Sequence, residues 1–521
     1  MSASTLTGTG LLTRVDLRRD RVVIASWTGV LLLMVVASAA TAGTLYPDEA
    51  TRVRAVHALN DSPAIVALYG PILDPNSIGE LAMTKLTVLY AVFVAMLLIV
   101  VVRRHTRVEE ESGRTELVGG TAVGRDAPLA AALVEAVGLS LTLGGLAALG
   151  NAACGLDVAG SVAFGALWAG TGLVAAGIAA LTSQISASAR TCAAWAAGTI
   201  AVLYVLRAVG DTGPQWLSWL SPFGWNTQVR AWSGTRWWLL LAYPALAAVL
   251  VGVATVLRAH RDLGSGLVAA RPGPAEGSPR LADALALALK VHATAIVLWS
   301  VGVGVLGVVF GAITPGLSDL LDSLGMQDLI AKLGGYFLAA ILSVVSVVIS
   351  YFAVTVVAHT GRDEEDGRTE VVLATTTSRS RWFGASVVVA LGGTAWLLVE
   401  MGIALWIGYV AASGPGVGNL LAAALAWVPA AWVTAALAAL CFSVGPRWTA
   451  VGWVWPGAFI TFEIVGELLE APRWVLDLSP YQHVPAVPAE PWDWPAETGL
   501  AVVAALILVL AWWRFRARDI G

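Results

Sequence analysis

The sequence predicts an all-α polytopic membrane protein, with twelve transmembrane helices in two parallel six-helix repeats, each entered by an interfacial elbow helix. Three observations carry that expectation. Hydrophobic residues make up 57% of the 521-residue chain and charged residues 13%, about half the charged share of a soluble domain. Apolar runs of the ~20 residues needed to cross a bilayer recur along the chain. One charged stretch of fourteen residues also occurs twice. Its copies, His105–Val118 and His359–Val372, agree at nine of fourteen positions at a constant offset of 254. Each follows the second apolar run of its half, which marks an internal duplication.

In chain order, residues 5–21 come first. Leu11, Leu12 and Val15 share one helical face and Arg14, Arg18 and Arg21 the other, the pattern of a helix lying in the membrane interface. The run 22–43 is long enough to span. Its basic flank and small residues also fit a cleaved signal peptide, but Val291–Phe310 is the matching segment in mid-chain, so the helix is expected to be retained. Further spans are expected at 84–102, 127–149, 158–182, 191–209 and 237–257. In the second half they fall at 291–313, 335–358, 383–411, 418–443, 448–468 and 498–513.

The first half is thus 1–257 and the second 281–521, joined by a linker, 258–280, holding Gly264, Gly266, Pro272, Gly273, Pro274, Gly277 and Pro279. Arg280–Lys290, with Leu281, Leu285 and Leu289, reads as a second interfacial helix. Six spans return each half to its starting side, so the repeats are parallel. On this topology 23 of the 31 Lys and Arg residues lie on the side of the termini and 8 elsewhere. The positive-inside rule makes that side cytosolic. Ala/Val/Gly/Arg-rich, Lys-poor usage points to a GC-rich bacterial genome, and the expected location is the bacterial plasma membrane with both termini cytoplasmic.

The outer loops repeat as well. Thr191, Trp195, Trp216, Leu220, Ser221 and Pro222 match Thr449, Trp453, Trp474, Leu478, Ser479 and Pro480 at an offset of 258. Trp216, Trp219, Trp225, Trp232, Trp474, Trp492 and Trp494 in these loops read as an interfacial aromatic belt.

Chemistry is sparse. The net charge of -4 offers no nucleic-acid surface, and Cys154, Cys192 and Cys441 stand singly, without metal spacing. The only lysines are Lys85, Lys290 and Lys332, none in a glycine-rich phosphate loop. No zinc-protease or nucleophile-elbow pattern occurs. The chain is therefore expected not to be an enzyme and to carry no cofactor of its own. Two equivalent charged elements suit a partner that is itself dimeric.

The E-E-x-G-R-T-E core of those elements resembles that of ABC-2-type exporter permeases. Ala67-Leu68-Tyr69-Gly70-Pro71 and Trp219-Leu220-Ser221-Pro222-Phe223-Gly224-Trp225 resemble the actinobacterial subgroup described as polyketide-antibiotic or multidrug efflux permeases. The outer motif weakens to Leu478-Ser479-Pro480-Tyr481-Gln482 in the second half. The resemblance covers essentially the whole chain. It implies a separate ATP-binding cassette ATPase, two copies per permease, that binds the ATP and Mg and drives export of bulky amphiphilic compounds by alternating access.

The resemblance also assigns residues. Glu110, Glu111, Gly113, Arg114, Thr115 and Glu116, with Glu364, Glu365, Gly367, Arg368, Thr369 and Glu370, would couple to the ATPase. Glu110 or Glu111 is expected to pair with Arg114 where the segment is helical, with a turn at Gly113 between short helices. The second and fifth helices of each half would line the substrate cavity. That nominates Tyr90, Phe93, Met96, Trp195, Thr199 and Tyr204 in the first half, and Phe337, Ser346, Tyr351, Trp453, Phe459 and Phe462 in the second, with Glu463 beside them.

Four charges sit in or near apolar runs: Glu135, Arg207, Glu400 and Glu463. Such charges are costly at the bilayer centre and tend to be functional. Arg207 and Glu463, near the outer ends of equivalent fifth helices, are expected to pair as an outer gate. A proton-coupled secondary carrier, and a polytopic membrane enzyme or non-transporting membrane scaffold, are the rival readings. The first lacks a carboxylate–histidine relay legible in the sequence, and the second a polar catalytic cluster.

Overall fold

Among the described residues every named element is helical, and a single isolated β-bridge joins Ser186 to Val268. The computed structural model describes residues 3–61, 63–262, 264–268, 276–279, 281, 283–323, 327–413, 419–465, 472–487 and 489–519. Within these, the side chains of 3, 4, 64, 315–337, 413 and 462–465 are not described. The chain divides into two units, Met1–Gly273 and Pro274–Gly521.

Eleven helices among the described residues are long and apolar enough to cross a membrane. In the first unit they are Thr9–Leu45, Ile78–Glu111, Ala127–Ala153, Val158–Ile185, Ala189–Thr212 and Trp237–Ala259. In the second they are Ala284–Thr314, Leu338–Glu365, Arg379–Ala412, Leu420–Val444 and Trp494–Ala517. The protein is an all-helical polytopic membrane protein. The span expected over 448–468 begins as a 3-10 helix, Pro446–Trp453, and continues as Val454–Val465; 466–471 lie outside the described residues.

The amphipathic segment 5–21 does not turn off as a separate elbow. One helix runs from Thr9 to Leu45, after Gly8 at φ 90°. No proline interrupts it, and Asp16 and Asp20 are buried against the second span rather than held at a surface. Likewise Ala284–Ser323 is one helix through the expected elbow at 280–290.

The first unit's core is built around Val158–Ile185, a helix buried along most of its length. It lies against Ala127–Ala153 at backbone contact: a Cβ on Gly144 would stand 2.3 Å from the Gly165 carbonyl oxygen. Close approach over small residues is how apolar helices gain dispersion contacts where lipid removes the hydrophobic drive. Outside the spans, Asp48 caps Glu49–Asn60. Its carboxylate accepts from the Thr51 N–H at 2.8 Å, which holds the Asp48 carboxyl below the usual carboxylate range. The repeated Leu-Ser-Pro is a helix start in both units. Ser221 and Ser479 are buried N-caps accepting from Phe223 and Tyr481 N–H, with proline at the first helical position.

Candidate functional site

The first charged element begins where the second span stops being α-helical. Ile78–Arg103 passes into a π-helical turn, Arg104–Val108, then Glu109–Glu111, then the short helix Arg114–Gly119. The second continues as α-helix to Glu365 and resumes as Arg368–Leu373. Each short helix follows a glycine in the left-handed region, Gly113 at φ 74° and Gly367 at φ 72°. A Cβ at either would meet nothing within 4 Å. Glycine is there for its backbone angle alone, which an L side chain adopts only at a cost.

That turn redirects the charges. Arg114 reaches Glu109 (Nη1–Oε1 3.4 Å), not Glu110 or Glu111. Arg368 reaches the equivalent Asp363 (Nε–Oδ1 3.1 Å), with Asp366 also in contact. The left-handed glycine breaks the helical register, so the three- and four-residue spacing expected for these pairs does not apply across it. Glu109 also meets Arg19 at 2.7 Å.

Glu110 is turned inward. Arg261 holds it through both oxygens (Nη1–Oε1 2.6 Å, Nη2–Oε2 2.8 Å), Arg107 donates to Oε2 at 2.7 Å, and the Gly264 N–H donates to Oε1 at 2.9 Å. Arg261 donates onward to Gln184 Oε1 at 2.8 Å, and Arg107 to the Ala187 and Ser265 carbonyls. Glu111 accepts from the Ala189 N–H at 3.0 Å. The element is thereby tied to the loop between the fourth and fifth spans and to the chain leaving the sixth. In the second unit Glu364 is held by Arg518, whose guanidinium lies over the rings of Phe442 and Phe515 at 5.1 and 5.3 Å.

Arg261 and Arg518 were not anticipated from the sequence, yet a signal was present. Arg261-Asp262-Leu263-Gly264 and Arg518-Asp519-Ile520-Gly521 repeat at an offset of 257, each just beyond the last span of its half.

What remains on the outside is a matched surface. Glu111, Arg114 and Glu116 are exposed in the first element, and Glu365, Arg368 and Glu370 in the second. Leu117 is 77% exposed and Val371, at the same register, 72%. Thr115 is half-buried and Thr369 buried.

The expected cavity residues are spread more widely. Phe93 and Trp195 are exposed, and Tyr90 packs on Phe93. Met96 is half-buried against the first unit's core, and Thr199 bonds the Trp195 carbonyl of its own helix. Tyr204 donates to the Leu68 carbonyl. In the second unit Tyr351 and exposed Trp453 meet with ring centres 5.8 Å apart, while Ser346 and Phe459 are buried. The side chains of Phe337, Phe462 and Glu463 lie outside those described. Arg207, fully buried, pairs with Asp211 at 3.2 Å, donates to the Val66 and Leu68 carbonyls and covers the Tyr204 ring.

A model of the family described as multidrug efflux system permease Rv1217c, C-terminal domain, matches residues 12–257 and 281–516. The multidrug efflux system permease protein Rv1217c of Mycobacterium tuberculosis (strain ATCC 25618 / H37Rv) is 37% identical over 530 residues, 99% of this chain and 96% of the relative.

Proposed function

Because the chain belongs to the multidrug efflux system permease family, we propose that it is the membrane subunit of an ATP-driven ABC-2-type exporter. It extrudes bulky amphiphilic compounds, antibiotics among them, from a bacterial cell. The chain is a duplicated and fused pair of halves with cytosolic termini. An ATP-binding cassette homodimer, which holds the ATP and Mg, docks on the two charged elements.

One observation carries this reading. Each unit presents a short helix with the same exposed acid, base and apolar positions, and each element is fastened by a buried glutamate–arginine pair to the end of the last span of its unit. A fastened element moves as one piece with the spans it joins. A force applied at Arg114–Gly119 reaches the second span directly, and the sixth through Glu110 and Arg261. Charge at such a surface sets register and orientation more than affinity, while burial of Leu117 and Val371 supplies about 1.5–3 kcal/mol each. Tyr90, Phe93, Met96, Trp195, Thr199 and Tyr204, with Phe337, Ser346, Tyr351, Trp453, Phe459 and Phe462, are assigned to the mostly apolar substrate cavity. Arg207 and Glu463 are assigned to the outer gate.

The test pairs capture with transport. Tagged permease should co-purify with a cassette ATPase at two copies per chain, and changing that ATPase's phosphate-loop lysine should abolish efflux. Efflux by the chain alone on a proton gradient would replace this reading with the secondary carrier.

A further inference from the structure

At the start of the first charged element, four ionisable side chains from three spans converge inside the first unit. His105 lies in the π-helical turn, Asp16 and Asp20 come from Thr9–Leu45, and Glu135 comes from Ala127–Ala153. His105 Nε2 is 2.8 Å from Asp20 Oδ2 and 3.7 Å from Glu135 Oε2, and Asp16 Oδ1 lies 3.1 Å from Nδ1 on the other side of the ring. Arg104 meets the second Asp20 oxygen at 2.8 Å. Glu135 is 2% exposed, and neither of its oxygens takes a hydrogen bond from any described residue.

We propose that Asp20, His105 and Glu135 form a divalent-cation site of the zinc class, with Asp16 as the group that orients the imidazole. Their three ligand atoms lie within 4.8 Å of one another. Tetrahedral zinc, with bonds near 2.0–2.2 Å, needs its ligand atoms roughly 3.3 Å apart, so His105 lies within about half an ångström of that spacing from both carboxylates, and side-chain rotation of Asp20 or Glu135 sets the third separation. A carboxylate on the far nitrogen of a ligating histidine is the usual outer partner; it fixes the tautomer and raises ligand basicity.

Charge argues the same way. Three carboxylates face one guanidinium, and a neutral ligating imidazole leaves two negative charges in a buried setting, which a divalent ion cancels. A buried carboxylate that accepts no hydrogen bond costs several kcal/mol while it is ionised, a cost that ligation of a cation by Glu135 removes without a proton. A π-turn is itself unusual and recurs at functional sites. Here it sets the ring between the acids.

The second unit serves as an internal control. At an offset of 254 the positions of His105 and Glu135 hold His359 and Val389. His359 packs edge-on against His292 with ring centres 5.2 Å apart, and no π-turn forms among its described neighbours. One ion per chain follows. It would staple the first three spans beside the element proposed to meet the ATPase, although the site itself does not depend on that role.

The experiment uses the full chain in lipid nanodiscs, stripped with chelator, incubated with zinc alone and desalted. Elemental analysis should find about one zinc per wild-type chain, falling at least tenfold in Glu135→Gln and His105→Ala and unchanged in His292→Ala with His359→Ala. Cobalt added to stripped wild-type protein should give visible bands of a nitrogen–oxygen site, a readout that needs no variant to fold. Wild-type protein retaining no zinc, or Glu135→Gln retaining as much as wild type, would overturn the proposal.

Discussion

The two charged elements share nine of fourteen residues and the same left-handed glycine, yet they are fastened differently. Glu110 collects donors from Arg107, Arg261 and Gly264. For Glu364 the described partner is Arg518, which rests on two aromatic rings. The reason lies one turn upstream. Position 107 is arginine in the first copy, and its counterpart at 361 is glycine. A Cβ on Gly361 would stand 2.6 Å from Thr449 Cγ2, so the second span there packs against the Pro446–Trp453 helix, and no arginine fits. An identical motif therefore specifies the exposed surface, while its non-identical flank decides how firmly that surface is held.

The largest expected effect tests this difference directly. Glu110→Ala leaves Arg107 and Arg261, both buried, without their acid and should cost about 3–5 kcal/mol of local stability. Glu364→Ala leaves Arg518 its ring contacts and should cost about 1.5–3 kcal/mol, the worth of hydrogen bonds to a charged group. Hydrogen exchange of amides 109–119 and 363–373 measures both openings. Equal losses would erase the asymmetry. Next in size, Gly361→Ala should cost about 1–3 kcal/mol by overpacking. Adding Thr449→Ser removes the clashing methyl and should restore most of it, which a double-mutant cycle on thermal melts would read.

Much of this architecture was legible. Run length located eleven of the twelve expected spans, and the repeat located both elements and the turn at Gly113. Three things were not. The first helix runs straight through its expected elbow because Asp16 and Asp20 find His105, and a helical wheel of one segment cannot show a partner 85 residues away. Arg114 changes partner because spacing rules hold within a helix, not across a left-handed glycine. Glu135 could be recognised as costly in an apolar run, but not as one member of a convergent group, since convergence comes only from tertiary packing. The buried carboxylate–histidine group that the sequence did not show is in fact present among Asp16, Asp20, His105 and Glu135, so its expected absence no longer counts against a proton-coupled carrier. Arg261 and Arg518 are a different case: their repeat, Arg-Asp-Leu-Gly and Arg-Asp-Ile-Gly at an offset of 257, is legible in the sequence itself.

A smaller effect sharpens what the two elements have in common. Gly113→Ala and Gly367→Ala should each cost about 1–2 kcal/mol, the left-handed penalty alone, and by the same amount, because neither new Cβ meets a neighbour. Unequal exchange rates would mean that one turn is strained beyond its backbone angle.

The smallest effect on stability carries the most information about function. Leu117 and Val371 expose most of their side chains, so Leu117→Asp and Val371→Asp should each change the melting free energy by no more than about 0.5 kcal/mol. If the exposed faces are docking faces, each substitution should nonetheless weaken capture of the ATPase, and the pair should abolish it. The firmer first element should then matter more. A helix held by Glu110 is already in its docking position, whereas one held more loosely spends binding energy on being ordered. Leu117→Asp should therefore reduce capture more than Val371→Asp, and Glu110→Ala should remove that difference. Equal losses from the two single substitutions, unchanged by Glu110→Ala, would show that the unequal fastening has no bearing on how the partner binds.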